Sequence, residues 1–451
     1  MVHYPEEADY GLLGPQMAAT IISRHTDYEG IVIGIGHGLD HKVAKDRLLE
    51  LLPSERPMVA FSYVGGRRDL WRLARELKSE GVITILAGPQ ADVDFQGEVG
   101  WDVAPHRFRG LRDSFTFALH GPAEQILPFL RGSDPAETDG VILWRRGNFL
   151  GRQRKPWDEA FLGEVDWKNL YRLTPYGLKD QRISTAQVLG RLGCPYAARS
   201  THCEIDYPRT LNGEPFPGEG KVPLLVRGCS FCDVATDKGG GFRLSMARVL
   251  EEISALPEDE EGRKIPFELV DERGASSLLS VLDAVKEAGI RISQVNIVTR
   301  ADWFLRAEAR FRGALRQAKA MGVKVLLSAV GFESFSDRIL RNLNKGYAAE
   351  INIRAVKLMR RLKEEFPEEF LYRRDEGACH GFIHPTPWDC PATLAEANAS
   401  IFSYGLFEDV LPERSVPLII HHASALGEWI RYLEEKEGLK LERAGSIIQW
   451  W

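Results

Sequence analysis

Residues 222–241 read VPLLVRGCSFCDVATDKGGG, and this stretch decides how the rest of the chain is interpreted. Its first five residues are apolar and predict a buried strand. Cys229 and Cys232 follow in a C-x2-C spacing, and a run of three glycines, 239–241, comes after them. Closely spaced thiols at the end of a strand, next to a flexible loop, are typical of a metal site. We therefore expect Cys229 and Cys232 to bind metal. A pair of packing thiols, a zinc site and a redox pair are the alternatives.

Downstream of this stretch, apolar strands alternate with amphipathic helices. Predicted strands at residues 265–270, 292–298 and 323–330 are each followed by a helix with one apolar face, and two further strands are predicted at 380–384 and 416–420. With the run at 222–226 these make six β/α units, the content of a partial (β/α)6 TIM-type barrel. Chemistry in such barrels lies at the carboxyl ends of the strands. That is where the sequence puts Cys229, Cys232, Glu272, Arg300 and Glu333.

Upstream of residue 150 a separate α/β domain is predicted. Strands at residues 29–36, 57–63 and 82–87 alternate with helices, and Leu70, Leu73, Ala74 and Leu77 share one helical face. Short connections that contain glycine indicate a Rossmann-like, doubly wound sheet. The predicted domains are therefore 1–150, a loop-rich linker at 151–221, a barrel core at 222–390, and a last barrel unit with a C-terminal extension at 391–451.

The composition is that of an ordinary globular protein, with 44% hydrophobic and 27% charged residues. A net charge of −6 gives no general attraction to nucleic acid or anionic membranes. The sequence shows no signal-peptide pattern and no run of about 18 apolar residues. Six cysteines are too few for a disulfide scaffold in a chain of 451 residues, and grouped thiols in a reducing compartment are more often metal ligands. We expect a cytoplasmic protein.

In the order of these features the chain resembles the radical S-adenosylmethionine enzymes that carry an N-terminal cobalamin-binding-type domain. The resemblance runs from about residue 29 to 437. It rests on a strand ending in Gly88-Pro89, the turn at 121–124, Arg227-Gly228-Cys229, and Gly331-Phe332-Glu333-Ser334 followed by Asn344-Lys345-Gly346.

The resemblance implies a 4Fe–4S cluster on three cysteine thiolates, with S-adenosylmethionine bound at the open iron. One electron, from an external donor such as a ferredoxin or flavodoxin, would then cleave S-adenosylmethionine to a 5′-deoxyadenosyl radical. It further implies that Asp271 or Glu272 meets the amino group of S-adenosylmethionine, that Arg300 clamps its carboxylate, and that Ser328 or Glu333 meets its ribose or amino group. Each of these residues also has a plain structural alternative.

Cobalamin is a further implied cofactor, although the D-x-H-x-x-G signature of many cobalamin proteins does not occur. With cobalamin bound, methyl transfer to an unactivated carbon is the expected reaction. Without it, hydrogen abstraction followed by rearrangement or bond formation is expected.

The cysteine spacing departs from the family. The usual motif is C-x3-C-x2-C on the loop after the first strand, and here Leu225 stands four places before Cys229. A third thiol must therefore come from elsewhere. Cys194 and Cys203 are the favoured candidates, ahead of Cys379 and Cys390. The alternative hypothesis is a barrel that has lost the chemistry, with zinc or no metal at Cys229 and Cys232, and that acts as a binding or scaffold protein.

Overall fold

The structure is a computed structural model. It describes residues 1–52, 55–62, 67–88, 112–146, 148–163, 165–209, 220–232, 234, 238, 241–410, 415–421, 424–438, 441–444 and 447–449. The chain divides into two compact units. Unit 1 comprises residues 1–184, 421–431 and 442–448, and unit 2 comprises 185–420, 432–441 and 449–451. The domain boundaries given above for the sequence remain predictions.

Unit 1 is a mixed α/β structure. Its strands are β1 (Val2–His3), β2 (Val32–Ile35), β3 (Met58–Phe61), β4 (Ile83–Leu86), β5 (Phe117–Leu119), β6 (Val141–Arg145), β7 (Asn148–Gly151), β8 (Leu170–Thr174) and β9 (Gly177–Asp180). Its helices are α1 (Leu13–His25), α2 (His41–Leu51), α3 (Arg68–Ser79) and α4 (Leu127–Leu130), with short 3-10 helices at Ala123–Ile126 and Pro135–Glu137.

Strands β1–β9 form two sheets rather than one. One has the order β3-β4-β5-β6-β7, parallel from β3 to β5 and antiparallel beyond, and the other has the order β1-β2-β8-β9. The predicted strand at 29–36 forms as β2, but it pairs with β1 and β8 instead of joining β3 and β4. A single Rossmann-like doubly wound sheet is therefore not shown.

The helical face predicted in unit 1 is confirmed. Leu70, Leu73, Ala74 and Leu77 on α3 are all buried, and they pack in one core with Phe61 of β3. Residues spaced three and four apart line up on one side of an α-helix, so burying that side removes a continuous apolar stripe from water.

Unit 2 is built on a parallel sheet. Its strands are β10 (Ala186–Leu189), β11 (Arg191–Leu192), β12 (Ser200–Asp206), β13 (Lys221–Arg227), β14 (Phe242–Arg243), β15 (Phe267–Val270), β16 (Gln294–Thr299), β17 (Lys324–Val330) and β18 (Phe370–Leu371). The order β10-β15-β16-β17-β18 is parallel throughout and follows the chain. Right-handed crossovers through helices produce such sequential parallel pairing.

Helices connect these strands. They are α5 (Met246–Ala255), α6 (Gly274–Glu287), α7 (Ala301–Arg306), α8 (Glu308–Met321), α9 (Asp337–Asn342), α10 (Ala349–Glu365) and α11 (Pro391–Tyr404). Short 3-10 helices lie at Pro195–Ala198, Arg374–Glu376 and Leu406–Glu408. The C-terminal part contains β19 (Ile420–His421), α12 (Ala425–Glu437), β20 (Glu442–Ala444) and β21 (Ile447–Gln449). No helix among the described residues is long and apolar enough to cross a membrane.

The run at 222–226 is not the first strand of the parallel sheet, and this prediction is wrong. It lies in β13, which pairs antiparallel with β12 over seven residues in a separate two-stranded hairpin. Leu225 is 59% exposed there. The first strand of the parallel sheet is β10, in the segment from which no regular structure was predicted. An apolar run of five residues shows strand formation but not its pairing partner.

The last two predicted strands also differ. Residues 382 and 383 make only isolated bridges, Glu333 with Phe382 and Ile383 with Val416, and β18 occupies the position beside β17. The described residues therefore give a five-stranded parallel sheet, and closure into a barrel is not confirmed.

Candidate functional site

The Cys229 turn begins where the hairpin strand β13 ends. Gly228 has φ +78°, a conformation that glycine adopts without steric cost, and this turns the chain after Arg227. The side chain of Asn344 donates to the Gly228 carbonyl over 2.7 Å. The backbone N–H of Cys232 donates to the carbonyl of Cys229 over 3.2 Å. Both predicted thiols thus lie in one fixed turn.

Ser230 anchors this turn from inside. It is completely buried, its hydroxyl donates to the Asn342 carbonyl over 2.8 Å, and its N–H donates to the Leu343 carbonyl over 3.0 Å. Because Asn342 ends helix α9, the turn is attached to the segment that follows the fourth strand of the sheet.

Cys194 lies in the same neighbourhood. It follows β10 and β11 and precedes the short helix Pro195–Ala198. Burial raises the pKa of its thiol, and the nearby charges of Glu272 and Cys229 raise it further. Thirty-four residues separate Cys194 from Cys229 in the sequence, and the β12–β13 hairpin lies between them. The chain therefore enters the hairpin after Cys194 and leaves it at Cys229.

Arg300 connects the two cysteine segments. Its Nη1 lies 3.4 Å from Sγ of Cys229, and its Cζ lies 3.9 Å from the ring centre of Tyr196, two residues after Cys194. Nε donates to Asp302 over 3.1 Å and Nη2 donates to the Lys345 carbonyl over 2.5 Å. Arg300 is 5% exposed. The sequence predicted Arg300 at this strand end, but it did not predict Tyr196 or Asp302.

Lys345 and Glu333 form a buried ion pair beside this arginine. The ammonium of Lys345 lies 3.0 Å from Oε1 of Glu333, and Lys345 is 2% exposed. The pKa of Lys345 is raised, because the attraction of Glu333 and Cys229 outweighs the burial that lowers it. A buried lysine of this kind is stable only with a carboxylate partner.

Glu272 follows the end of β15 and interacts electrostatically with Cys194. Burial raises the pKa of its carboxyl group, and the positive charges of Lys345 and Arg300 offset part of that effect. Glu272, Arg300 and Lys345 therefore share one electrostatic environment with Cys194 and Cys229.

Asp271 and Ser328 have structural partners. One carboxylate oxygen of Asp271 accepts from Arg191 over 3.0 Å and from the backbone N–H of Arg273 over 2.8 Å, and the other accepts from Ser277. The hydroxyl of Ser328 donates to the Ile297 carbonyl over 3.0 Å. These contacts fix the ends of the strands. The cofactor roles predicted for both residues remain predictions.

Cys203 lies on the hairpin instead of at the Cys229 turn. It pairs in register with Leu224, five residues before Cys229, and burial alone raises its pKa. It lines a cavity of about 450 Å³, whose wall residues are Cys203, Glu204, Lys221, Asp337, Arg341, Asn344, Gly346, Tyr347 and Ala348. Cys379 is exposed and Cys390 precedes helix α11. The segment after Cys194 thus contacts the start of the Cys229 turn, with Nε of Arg227 donating to the Ala197 carbonyl over 3.2 Å, whereas Cys203 lies opposite Leu224 on the hairpin.

The described residues do not form a complete set of metal ligands. Among the residues that the structure describes, no group of three or more His, Cys, Asp or Glu side chains is placed to hold a metal ion. The donor chemistry nevertheless fits an iron–sulfur cluster, because thiols from two segments lie beside N–H donors: Arg300 donates toward Cys229, and the backbone N–H groups of Tyr196 and Ala197 partly offset the burial that raises the pKa of Cys194. A cluster also binds each thiolate through a different iron, so the sulfurs need not converge on one point.

Cobalamin has no support in the described residues. The segments that follow β3 and β4, at 63–66 and 89–111, lie outside them, as do Gly239 and Gly240 of the glycine run. A parallel sheet places its ligands at the carboxyl ends of strands such as β3 and β4.

Comparison with known proteins identifies no family for this chain. No protein-family model matches the sequence, and no curated protein matches it. Among solved structures, Elp3 of the archaeon Methanocaldococcus infernus, with an N-terminal deletion (1–46), is similar at a TM-score of 0.27 and 19% identity. The alignment spans 43% of this chain and 44% of the Elp3 chain. We draw no functional argument from this similarity.

Proposed function

We propose that this protein is a radical S-adenosylmethionine enzyme in which Cys194, Cys229 and Cys232 hold a 4Fe–4S cluster. The observation that carries the proposal is the contact between the segments that contain Cys194 and Cys229: Nε of Arg227 donates to the Ala197 carbonyl over 3.2 Å, and Arg300 contacts both Tyr196 and Cys229. The ligand spacing would be C-x34-C-x2-C. Three thiolates from two adjacent loops are the donor set that such a cluster needs.

The position of β10 supports this assignment. In the family that the sequence resembles, the first cysteine follows the first strand of the barrel. With β10 as the first strand of the parallel sheet, Cys194 occupies that place, five residues after Leu189. The departure in cysteine spacing is then an insertion of the β12–β13 hairpin into the loop, and no ligand is missing.

Residues at the ends of the next strands would bind S-adenosylmethionine. Glu272 follows β15 and offers a carboxylate for an ammonium group, and Glu333 follows β17. When bound, the cluster and S-adenosylmethionine supply a one-electron cleavage that starts radical chemistry. The chain's own contribution is to orient the charged groups and to exclude water by means of the buried Arg300 and Lys345.

Cobalamin-dependent methyl transfer is a narrower form of the same proposal. It rests only on the resemblance of the sequence to enzymes with an N-terminal cobalamin-binding-type domain. A cobalamin absorbance spectrum on protein purified from cells supplied with cobalamin supports it. Protein that takes up iron and sulfide but no cobalamin limits the proposal to radical chemistry without a corrinoid.

Metal analysis tests the proposed function. The full chain is purified without oxygen and reconstituted with iron and sulfide, and we expect about four of each per chain. With a strong reductant and S-adenosylmethionine, the protein should release 5′-deoxyadenosine. About one zinc per chain, with no iron and no 5′-deoxyadenosine, would instead favour the binding or scaffold protein.

A further inference from the structure

We infer that Arg300 is a positioning residue that holds the Cys194 segment and the Cys229 turn in one site before any metal binds. The inference rests on the proposed function for its purpose, but its geometry is a property of the chain alone. The sequence suggested a different role for Arg300, as a clamp for the carboxylate of S-adenosylmethionine.

The guanidinium makes contacts through all three of its nitrogens. Nη1 donates toward Sγ of Cys229 over 3.4 Å, Nη2 donates to the Lys345 carbonyl over 2.5 Å, and Nε donates to Asp302 over 3.1 Å. Asp302 is itself largely buried, with a side chain 13% exposed. The oxygens of Asp302 and Lys345 thus fix the planar guanidinium, whose donors have set directions. Its remaining N–H group is directed toward Sγ of Cys229.

The flat face of the same group holds the other cysteine segment. The ring of Tyr196 stacks on Arg300 with 3.9 Å between the ring centre and Cζ, and the Tyr196 hydroxyl donates to the Asn344 carbonyl over 2.8 Å. Tyr196 lies two residues after Cys194. Because this contact and the hydrogen bond from the Tyr196 hydroxyl hold the ring in place, Arg300 restrains the backbone that carries Cys194.

A lysine cannot replace this arrangement. The three N–H donors of a lysine ammonium share one nitrogen on a flexible stem, so they cannot reach the separated Cys229, Asp302 and Lys345 acceptors while a flat group packs against Tyr196. Loss of the N–H donor to sulfur would also change a loaded cluster, since hydrogen bonds to the cysteine sulfurs help to set its reduction potential.

The first experiment uses metal-free, fully reduced protein in a Cys232→Ser background. Bismaleimidoethane is added, and the product that links Cys194 to Cys229 is measured by peptide mass spectrometry. We compare Arg300→Met and Arg300→Lys with Arg316→Met, a control arginine that is 68% exposed on α8. The control should cross-link like the parent protein. Arg300→Met should lose most of the product, and Arg300→Lys should not restore it.

Tyr196→Leu is the second variant, for the case in which Arg300→Met does not fold, as judged by circular dichroism. It keeps the positive charge and removes the stacking face, so the cross-linked product should fall while the Arg316→Met control stays unchanged. Equal cross-linking in Arg300→Met and the parent, or in Tyr196→Leu and the parent, overturns the inference.

The second experiment uses reconstituted protein with all cysteines intact. Arg300→Met should bind less iron, and the clusters that form should show a more negative midpoint potential by electron paramagnetic resonance, because an N–H donor to sulfur is lost. An unchanged midpoint and iron content, with loss of 5′-deoxyadenosine only, assign Arg300 to S-adenosylmethionine and overturn the inference. A parent protein that binds no iron refutes the proposed function, while the cross-linking result still decides the role of Arg300.

Discussion

The ammonium of Lys345 lies 3.0 Å from Oε1 of Glu333, and Glu333 has a left-handed backbone with φ +60°. A residue other than glycine costs free energy in this conformation, and it persists where surrounding contacts hold it. Lys345 provides such a contact through the buried ion pair. Its carbonyl also accepts from Arg300, so the pair is connected to the Cys229 turn.

Removing Glu333 should be costly, because it leaves a buried ammonium without its partner. For Glu333→Ala we expect a loss of about 3–5 kcal/mol in the free energy of unfolding. The double variant Glu333→Ala with Lys345→Met should lose less than Glu333→Ala alone. Urea titration followed by tryptophan fluorescence measures both. Lys319→Met, whose exposed amino group lies 4.0 Å from Glu369, is the control and should change little. Equal losses in the single and double variants would show that the pair is not coupled.

Two buried groups of unit 2 should give opposite pH dependences of stability. Burial raises the pKa of Glu252 to about 7 from a model-compound value of 4.5. One of its oxygens accepts from the Leu189 N–H over 2.7 Å. Between pH 4.5 and 7 the folded state therefore binds more protons than the unfolded state, and stability should fall as the pH rises, by at most about 1.4 kcal/mol per pH unit.

His380 acts in the other direction. Burial lowers its pKa to about 4, with Nδ1 accepting from the Val330 N–H over 3.0 Å. Between pH 4 and 6.5 the unfolded state binds more protons, so stability should rise with pH. In Glu252→Gln, stability should retain only the rise with pH that is due to His380, and it should be higher than that of the parent at pH 8. In His380→Gln, stability should retain only the fall with pH that is due to Glu252. Thermal midpoints recorded across this pH range test both variants. A Glu252→Gln profile parallel to that of the parent contradicts the assignment.

Gly241 should tolerate no side chain. It has φ +78°, and a Cβ there would lie 2.2 Å from the carbonyl oxygen of Leu192, next to the β11–β14 pairing. Gly322 has a similar φ of +66° with nothing within 4 Å, so Gly322→Ala measures the backbone strain alone, about 1–2 kcal/mol. Gly241→Ala should lower the thermal midpoint clearly further than Gly322→Ala. Equal shifts would mean that the contact with Leu192 is not maintained in solution.

The cysteines should separate into two groups. Cys194→Ala, Cys229→Ala and Cys232→Ala should each lose most of the iron and sulfide bound after reconstitution, because each would remove one thiolate ligand. Cys203→Ala is the matched control and should bind as much iron as the parent protein, since its pKa reflects burial alone. Iron and sulfide analysis with absorption spectra measures this. Loss of iron in Cys203→Ala but not in Cys194→Ala would exchange their roles.

Local patterns in the sequence were sufficient to predict much of the secondary structure of unit 2. The strands β15, β16 and β17 and the apolar face of α6 follow from residues close together in the chain, and the structure confirms them. The position of Arg300 after β16 follows in the same way. Periodicity reports which residues share a face, and that information is local.

The same local patterns could not predict which strands pair with each other. The four residues of β10 lie between polar and glycine-containing stretches, and their strand is defined by its neighbour β15, some 80 residues away. The apolar run at 222–226 pairs with β12, which the sequence did not reveal. For the same reason the sequence could name Cys194 and Cys203 as candidates for a third thiol but could not show that the β12–β13 hairpin lies between Cys194 and Cys229.

The inserted hairpin has a consequence for biogenesis. A loop of this length loses entropy when its ends meet, and the β12–β13 pairing offsets that loss independently of any cofactor. Under the proposed function, this hairpin has to pair before Cys194 and Cys229 can bind one cluster, so cluster insertion would follow the folding of the polypeptide. Substitutions that unpair β12 from β13 would then leave the parallel sheet folded but unable to acquire a cluster.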